Sequence, residues 1–363
     1  MATQPIAQPD AQPKKPFIRR VSADRSQQIR RSVQAFFILL NAWLGVQFYL
    51  WVRSFEVVDT VSDVSRPPGV EGWLPIAGLM NTKYLLHTGH VPAVHPAAMF
   101  LFAAFLLMSL LLKKAFCSWL CPVGTFSEYL WKIGRRIFGR NFRLPRWIDI
   151  PLRGLKYLLL AFFVFVIGAM SAEAIEGFMA TPYGLVADVK MLNFFRDIGL
   201  TGAAVLGVLV LGSMLVQNFW CRYLCPYGAL MGLASLLSPV KIRRDKEACI
   251  DCGKCARACP AGLAVDQLVQ IRSVECTACM ECVAACSAQN ALQFAFAPRR
   301  APAPEQRWAR RVVGPMAVTA VLAYIFFGMF LFARATGHWQ SNIPRAVYVE
   351  LVPRANQVTH PGM

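Results

Sequence analysis

Charge is what this sequence has least of. Only 16% of its 363 residues are Asp, Glu, Lys or Arg, against about a quarter in ordinary soluble domains. Acidic charge is scarcer still, with 20 Asp and Glu against 38 Lys and Arg. Glycine-rich phosphate loops, nucleophile triads and the dinucleotide fingerprint are all missing, which argues against a bound hydride cofactor. The first sixteen residues are mostly Ala, Gln and Pro and lack the apolar core of a secretory signal. They read as a disordered tail ahead of an uncleaved anchor. No cysteine lies outside a motif.

Apolar length is what the sequence has instead. Five stretches contain no Asp, Glu, Lys or Arg: 33–52, 91–112, 157–172, 198–221 and 312–333. A bilayer-spanning helix needs about 20 apolar residues. The third stretch is short and is expected to borrow Leu155 and the snorkelling stem of Lys156. Five such stretches between charged loops predict five transmembrane helices rather than buried helices of a soluble protein. The net charge of +18 would suit nucleic acid, but thirty of the 38 basic residues lie in 1–32, 113–156 and 222–311. These segments share one side if the spans alternate. The positive-inside rule makes that side the cytoplasm. The expected partner surface is therefore membrane lipid, with no nucleic acid. The expected location is the plasma (inner) membrane, N-terminus inside and C-terminus outside.

A repeat appears when the chain is slid along itself. Glu71-Gly72-Trp73-Leu74 resembles Glu176-Gly177-Phe178-Met179, an offset of 105 residues. Phe116-Cys117-Ser118-Trp119-Leu120-Cys121-Pro122-Val123-Gly124 resembles Trp220-Cys221-Arg222-Tyr223-Leu224-Cys225-Pro226-Tyr227-Gly228, an offset of 104. Each copy would hold two spans and keep the same orientation, related by an axis along the membrane normal. The predicted organisation is a basic disordered tail (1–32), a duplicated membrane domain (33–240) and a cysteine-rich domain (241–296). A proline-rich linker (297–311), a fifth helix (312–333) and a short outer tail (334–363) follow. Residues 128–150 mix aromatic and basic side chains, which suits either an interfacial helix or a plain inner loop.

All twelve cysteines fall in motifs. Cys249-x2-Cys252-x2-Cys255-x3-Cys259-Pro260 and Cys276-x2-Cys279-x2-Cys282-x3-Cys286 have the bacterial ferredoxin spacing, in which the fourth cysteine ligates the other cluster. Two [4Fe–4S] clusters are expected, one on Cys249, Cys252, Cys255 and Cys286, the other on Cys276, Cys279, Cys282 and Cys259. Gly253 gives the first loop room to turn, and Ser287 stands where a proline is usual. Cytoplasmic disulfides and zinc are the poorer readings of these runs. The remaining cysteines, Cys117, Cys121, Cys221 and Cys225, are a candidate third site. Their i, i+4 spacing predicts two sulfurs on one helix face, with Pro122 and Pro226 ending each helix. Redox-active dithiols, transient copper binding and simple packing remain open alternatives for these four.

With these motifs in place, residues 33 to 296 resemble the membrane-bound polyferredoxins of the NapH/MauN type, related to CcoG/FixG and NosR. The resemblance implies an all-α integral membrane protein with an inserted cytoplasmic α+β two-cluster ferredoxin-like domain. It also implies electron transfer between a quinone pool or membrane partner and a redox protein. The CcoG likeness implies an alternative, a copper-reducing assembly factor, although the residues after Ala333 are too few for that branch's immunoglobulin-like domain. A redox-sensing membrane regulator is the other alternative.

Two further sets of residues invite chemistry. Glu71 and Glu176 are acids beside Trp73 and Phe178 in matching outer loops, read first as helix caps and second as proton acceptors for a quinol. His87, His90 and His95 lie near the outer end of the second stretch. No other stretch holds a histidine, so a haem clamped between two helices lacks its second ligand, and these are read as loop histidines. Reporter fusions after residues 20, 300 and 360 should read cytoplasm, cytoplasm and outside; a cytoplasmic signal from the last would overturn the topology.

Overall fold

The computed structural model describes residues 18–20, 24–57, 64–296 and 312–361. Most of the expected disordered tail and the linker 297–311 lie outside the described residues. The tail's end is a correction. Helix α1 (Ser26–Glu56) starts seven residues before position 33, because Asp24 accepts from the Ser26 amide at 2.8 Å. Just before it, Arg19 bridges Ala288, and the Arg20 amide donates to Ser287 O at 2.9 Å.

The chain is mostly helical. After α1 come α2 (Pro75–Thr88), α3 (Pro96–Leu112), the short α4 (Ala115–Trp119), α5 (Pro122–Phe138) and α6 (Arg146–Ala169). Then follow α7 (Ala172–Ala180), α8 (Pro182–Leu185), α9 (Ala187–Arg196), α10 (Leu200–Leu215) and α11 (Pro226–Ala234). A two-stranded sheet and two short helices make up the cysteine-rich part. It is followed by α14 (Pro315–Ala335) and α15 (Arg345–Leu351).

Among the described residues, α1, α6 and α14 are long and apolar enough to cross a membrane. They cover the first expected stretch and most of the third and fifth. The other two stretches hold shorter helices. Pro96 sets the start of α3 at N1, and left-handed backbone at Lys113 ends it. It has 17 residues, about 25 Å at about 1.5 Å per residue. The fourth stretch holds α10, which meets the preceding α9 at 82° and stops at Leu215, before the turn at left-handed Asn218. The Lys156 reading is also corrected. Its ammonium does not snorkel but is fully buried, 2.6 Å from Glu275.

The two similar segments occupy different environments. Helix α3 is apolar on every side, and twelve of its residues are buried against α2 and α14. Its counterpart α10 buries only Ser213, and leaves Val205, Val208 and Leu211 facing outward. One core runs from α3 through Phe116 and Trp119 into the cysteine-rich part, where Ile242, Ile271 and Phe294 continue it.

The matching acids diverge in the same way. Glu71 is fully buried, 2.8 Å from Arg66 and 3.2 Å from His95. It accepts from the Ala98 amide at 3.2 Å and from Ser341 Oγ at 3.0 Å. It thus caps the first turn of α3, satisfying an amide the helix leaves open. Arg66 also pairs with Asp188 at 2.6 Å. His95 is therefore a buried member of an ion-pair network rather than a loop histidine, whereas His87 and His90 are exposed. Glu176 accepts from the Tyr84 hydroxyl at 3.3 Å in an exposed contact.

Burial alone would raise the Glu71 carboxyl, but Arg66 and His95 outweigh it and hold it at about 2. Its stabilisation is present above the ordinary carboxylate range and is lost as pH falls toward about 2. Glu71→Gln leaves Arg66 short of a buried partner and should cost about 3–5 kcal/mol, read as a lowered midpoint of thermal unfolding. Glu176→Gln should leave the midpoint unchanged.

Candidate metal centres

Strands β1 (Val240–Arg244) and β2 (Leu292–Phe296) pair antiparallel, from Val240 opposite Phe296 to Arg244 opposite Leu292. They clamp the base of two loops that carry the ferredoxin-spaced cysteines. In each loop the second and fourth residues after the first cysteine are left-handed: Asp251 and Gly253, then Ala278 and Met280. Such alternation turns successive amides toward one concavity, an anion-binding nest. Gly253 takes this backbone freely; Met280, buried in the core, takes the same place in the second loop. Helices α12 (Lys254–Ala258) and α13 (Glu281–Ala284) lead away from the loops.

The fourth cysteine of each run lies with the first three of the other. Cys286 sits in electrostatic reach of Cys249, Cys252 and Cys255. Cys259 neighbours Cys276, Cys279 and Cys282, and these four line one small cavity. Cations stand beside both groups. Arg244 Nη1 lies 3.5 Å from Cys249 Sγ, Arg30 lies near Cys279, and Lys113 lies near Cys276.

The other four cysteines come together from two distant parts of the sequence, each sulfur in electrostatic reach of others in the set. Their local geometry corrects the expectation of one helix face. Cys117 lies in α4, whereas Cys121 is the extended N-cap of α5. Cys221 lies in a short π-helix, Trp220–Leu224, and Cys225 is the N-cap of α11. Pro122 and Pro226 begin helices rather than ending them, because a proline at N1 loses no hydrogen bond. The Gly228 amide donates to Cys225 Sγ at 3.2 Å. Two helix N-termini, the positive ends of their dipoles, thus converge on the four sulfurs.

Sequence reasoning missed two residues here. Lys114 is buried, with Cys117, Cys221, Cys225 and Glu275 around its ammonium. It reads in sequence as one more positive-inside charge. Gly124 is required by close approach, since a Cβ there would stand 2.1 Å from Cys117 O. Its recurrence as Gly228 was the available signal. A cavity of about 1240 Å³ opens from the four sulfurs, past Phe37, Leu40 and Leu44 of α1, to Arg66 and Trp73 at the outer loop.

Ion pairs fasten the cysteine-rich part to the helices. Arg30 is fully buried and meets Glu128 at 2.6 Å and Glu281 at 2.9 Å. Lys156 of α6 pairs with Glu275 at 2.6 Å. Asp149 of α6 holds the segment that carries Cys221, accepting from Tyr223 at 2.6 Å and pairing with Arg222.

The donor sets fit iron–sulfur chemistry: thiols in fours, with amides and cations to satisfy the sulfurs. No group of three or more His, Cys, Asp or Glu among the described residues is placed to hold a single metal ion. A single tetrahedral ion would draw its sulfurs to about 3.8 Å apart, given bonds of about 2.3 Å; a cubane spaces them wider. Wrapped cysteine runs beneath membrane-length helices define a membrane iron–sulfur protein.

Comparison with known families makes this specific. The family described as a 4Fe-4S binding domain matches residues 94–141 and again 198–245. The 4Fe-4S dicluster domain matches 241–287. The chain is 50% identical over 331 residues to YccM of Escherichia coli (strain K12), provisionally named an electron transport protein, covering 91% of each chain. It is 26% identical over 272 residues to the ferredoxin-type protein NapH of the same organism, covering 71% of this chain and 85% of NapH. The methylamine utilization ferredoxin-type protein MauN of Paracoccus denitrificans is 28% identical over 191 residues, covering 52% of this chain and 63% of MauN. No solved structure matches. The chain belongs to the ferredoxin-type 4Fe-4S membrane electron-transport proteins.

Gly124→Ala should displace the Cys117 carbonyl and open the four-cysteine site. Gly228→Ala, whose added Cβ would come no closer than 3.5 Å to any neighbour, should not. Thiol alkylation of the purified protein would read the difference, and equal labelling of the two variants would refute it.

Proposed function

We propose that the chain conducts electrons between a lipid-soluble carrier of the quinone class and a soluble redox protein, through three centres at the cytoplasmic face. Cys249, Cys252, Cys255 and Cys286 hold one [4Fe–4S] cluster, and Cys276, Cys279, Cys282 and Cys259 the second. Cys117, Cys121, Cys221 and Cys225 hold a third. Five spans carry this assembly in the inner membrane, N-terminus inside and C-terminus outside. The helices α3 and α10 are the second and fourth spans of a duplicated pair.

The observation that carries this reading is the cavity. It joins the four-cysteine set to the outer loop through apolar walls, the setting a flat apolar carrier with a polar head requires. Two matches of one family at a common offset of 104 residues support the duplication and the use of both Cys-x3-Cys-Pro motifs for a cluster. When bound, such clusters supply one-electron steps, and the protein sets their orientation, access and potential. The chain's own part is specific. Lys114 offsets negative charge among the four sulfurs. The α5 and α11 termini supply amides, and Phe37, Leu40 and Leu44 shape the entry path.

Anaerobic iron and sulfide analysis should exceed the roughly eight irons that two cubanes supply. A Cys117→Ser/Cys221→Ser variant should lose the excess and keep both ferredoxin-type signals. Full cubane occupancy with no further metal would defeat the third centre. Cys259→Ser should alter the spectrum assigned to the second loop's cluster and Cys286→Ser that of the first; damage confined to each residue's own run would refute the crossed ligation.

A further inference from the structure

Among the described residues, the cavity at the four-cysteine site is lined by Thr277 and Cys279 of the second ferredoxin loop and by Pro260 and Ala261 after Cys259, and by no residue of the loop from Cys249 to Cys255. Arg222 Nη1 donates to Ala261 O at 3.4 Å. Ser118 and Trp119 lie between Cys117 and Cys121, and both reach across to the loop between Cys276 and Cys279. Ser118 Oγ donates to Thr277 O at 2.6 Å, and Trp119 Nε1 donates to Ala278 O at 3.1 Å. Trp119 is fully buried. Helix α1 clamps the junction from the side. Gln27 donates to Cys279 O at 2.9 Å, Gln34 to Ser118 O at 2.9 Å, and Arg30 to Ser118 O at 3.2 Å. Thr277 and Cys279, with Pro260 and Ala261, line both the large cavity and the small one that Cys259, Cys276 and Cys282 share. The second loop and the two residues after Cys259 are therefore the partition between the two spaces. The first loop faces away. Cys252 is the one exposed cysteine of the twelve, flanked by exposed Asp251 and Lys254.

We propose that Ser118 and Trp119 are positioning residues of an ordered relay. They fix the second loop (Cys276, Cys279, Cys282 with Cys259) as the junction with the four-cysteine site. The first loop (Cys249, Cys252, Cys255 with Cys286) is the terminal that faces the soluble partner. This rests on the four-cysteine site holding a redox centre. The balance is simple: one electron leaves the set around Cys117, passes to the set around Cys276, then to the set around Cys252, and on to an external one-electron redox protein. No bond forms or breaks and no proton moves, and the same order runs backwards for the opposite flux. The contact matters because a covalent and hydrogen-bonded route of two residues, Cys117–Ser118 to Thr277–Cys276, joins one sulfur to the next without crossing open space.

The test is electron paramagnetic resonance of the dithionite-reduced, full-length protein in detergent. Cys252→Ser and Cys279→Ser assign the two ferredoxin-type signals. The Cys117→Ser/Cys221→Ser variant should then slow the spin relaxation of the second-loop signal and leave that of the first loop unchanged. A change confined to the first-loop signal, an equal change in both, or no change in either would overturn the order. Ser118→Ala combined with Trp119→Phe should keep the iron content and both signals. It should weaken the same relaxation effect and raise hydrogen exchange at Thr277–Met280, but not at Asp251–Cys255. Wild-type relaxation in that variant would overturn the positioning role. Iron analysis separates the two failures. A wild-type protein with no third centre overturns the underlying reading, and a third centre coupled to the first loop overturns the relay alone.

Discussion

The structure depends on a guanidinium that water never reaches. Arg30 lies in the first turns of α1 and is fully buried, where an unpaired charge would cost several kcal/mol. It is satisfied from three directions: Glu128 on α5, Glu281 at the start of α13, and Ser118 O between the paired cysteines. Lys132 adds a second cation to the same carboxylates. The Glu128 carboxyl, which burial alone would raise, is held at about 2 by Arg30 and Lys132. This one network ties α1 to α5, to the start of α13 and to the backbone between Cys117 and Cys121.

The same logic recurs wherever the cysteine-rich part meets a helix. Lys156 with Glu275, Arg222 with Ala261 O and Lys113 with Ser273 O each place a cation at the seam. Thiolate-ligated clusters carry negative charge, and low-dielectric surroundings make compensation strong. Of the basic residues that cluster in three segments of the sequence, several thus turn inward to the sulfurs.

Much of this was legible because chemistry fixes spacing. The ferredoxin spacing of the two runs stands in the sequence itself, and the repeat declared itself by a near-constant offset. The environment of each copy was not legible. An all-apolar helix reads alike whether it faces lipid or is buried, so α3 and α10 look equivalent in sequence, yet α3 is central and α10 peripheral. Glu71 and Glu176 share that fate. Prolines after Cys121 and Cys225 were ambiguous between ending one helix and starting the next. The i, i+4 cysteine spacing suggested a single helix where there is a break. His95 was missed because its partners Arg66, Glu71 and Gly184 O come from two other segments.

The pairing of Arg19 with Ala288 has a consequence for assembly in time. Arg19 leaves the ribosome about 270 residues before Ala288, and their contact closes a loop of that length. Contacts of such sequence separation form late. The helices before the cysteine-rich part are therefore committed to the bilayer while the two loops are still unclosed. The N-terminal segment then draws across Ser287 and Gln289 only after the last cysteine has emerged. Until that clasp shuts, the Cys286 side of the domain stays open to whatever delivers iron and sulfide, which makes the order of synthesis itself a timetable for maturation.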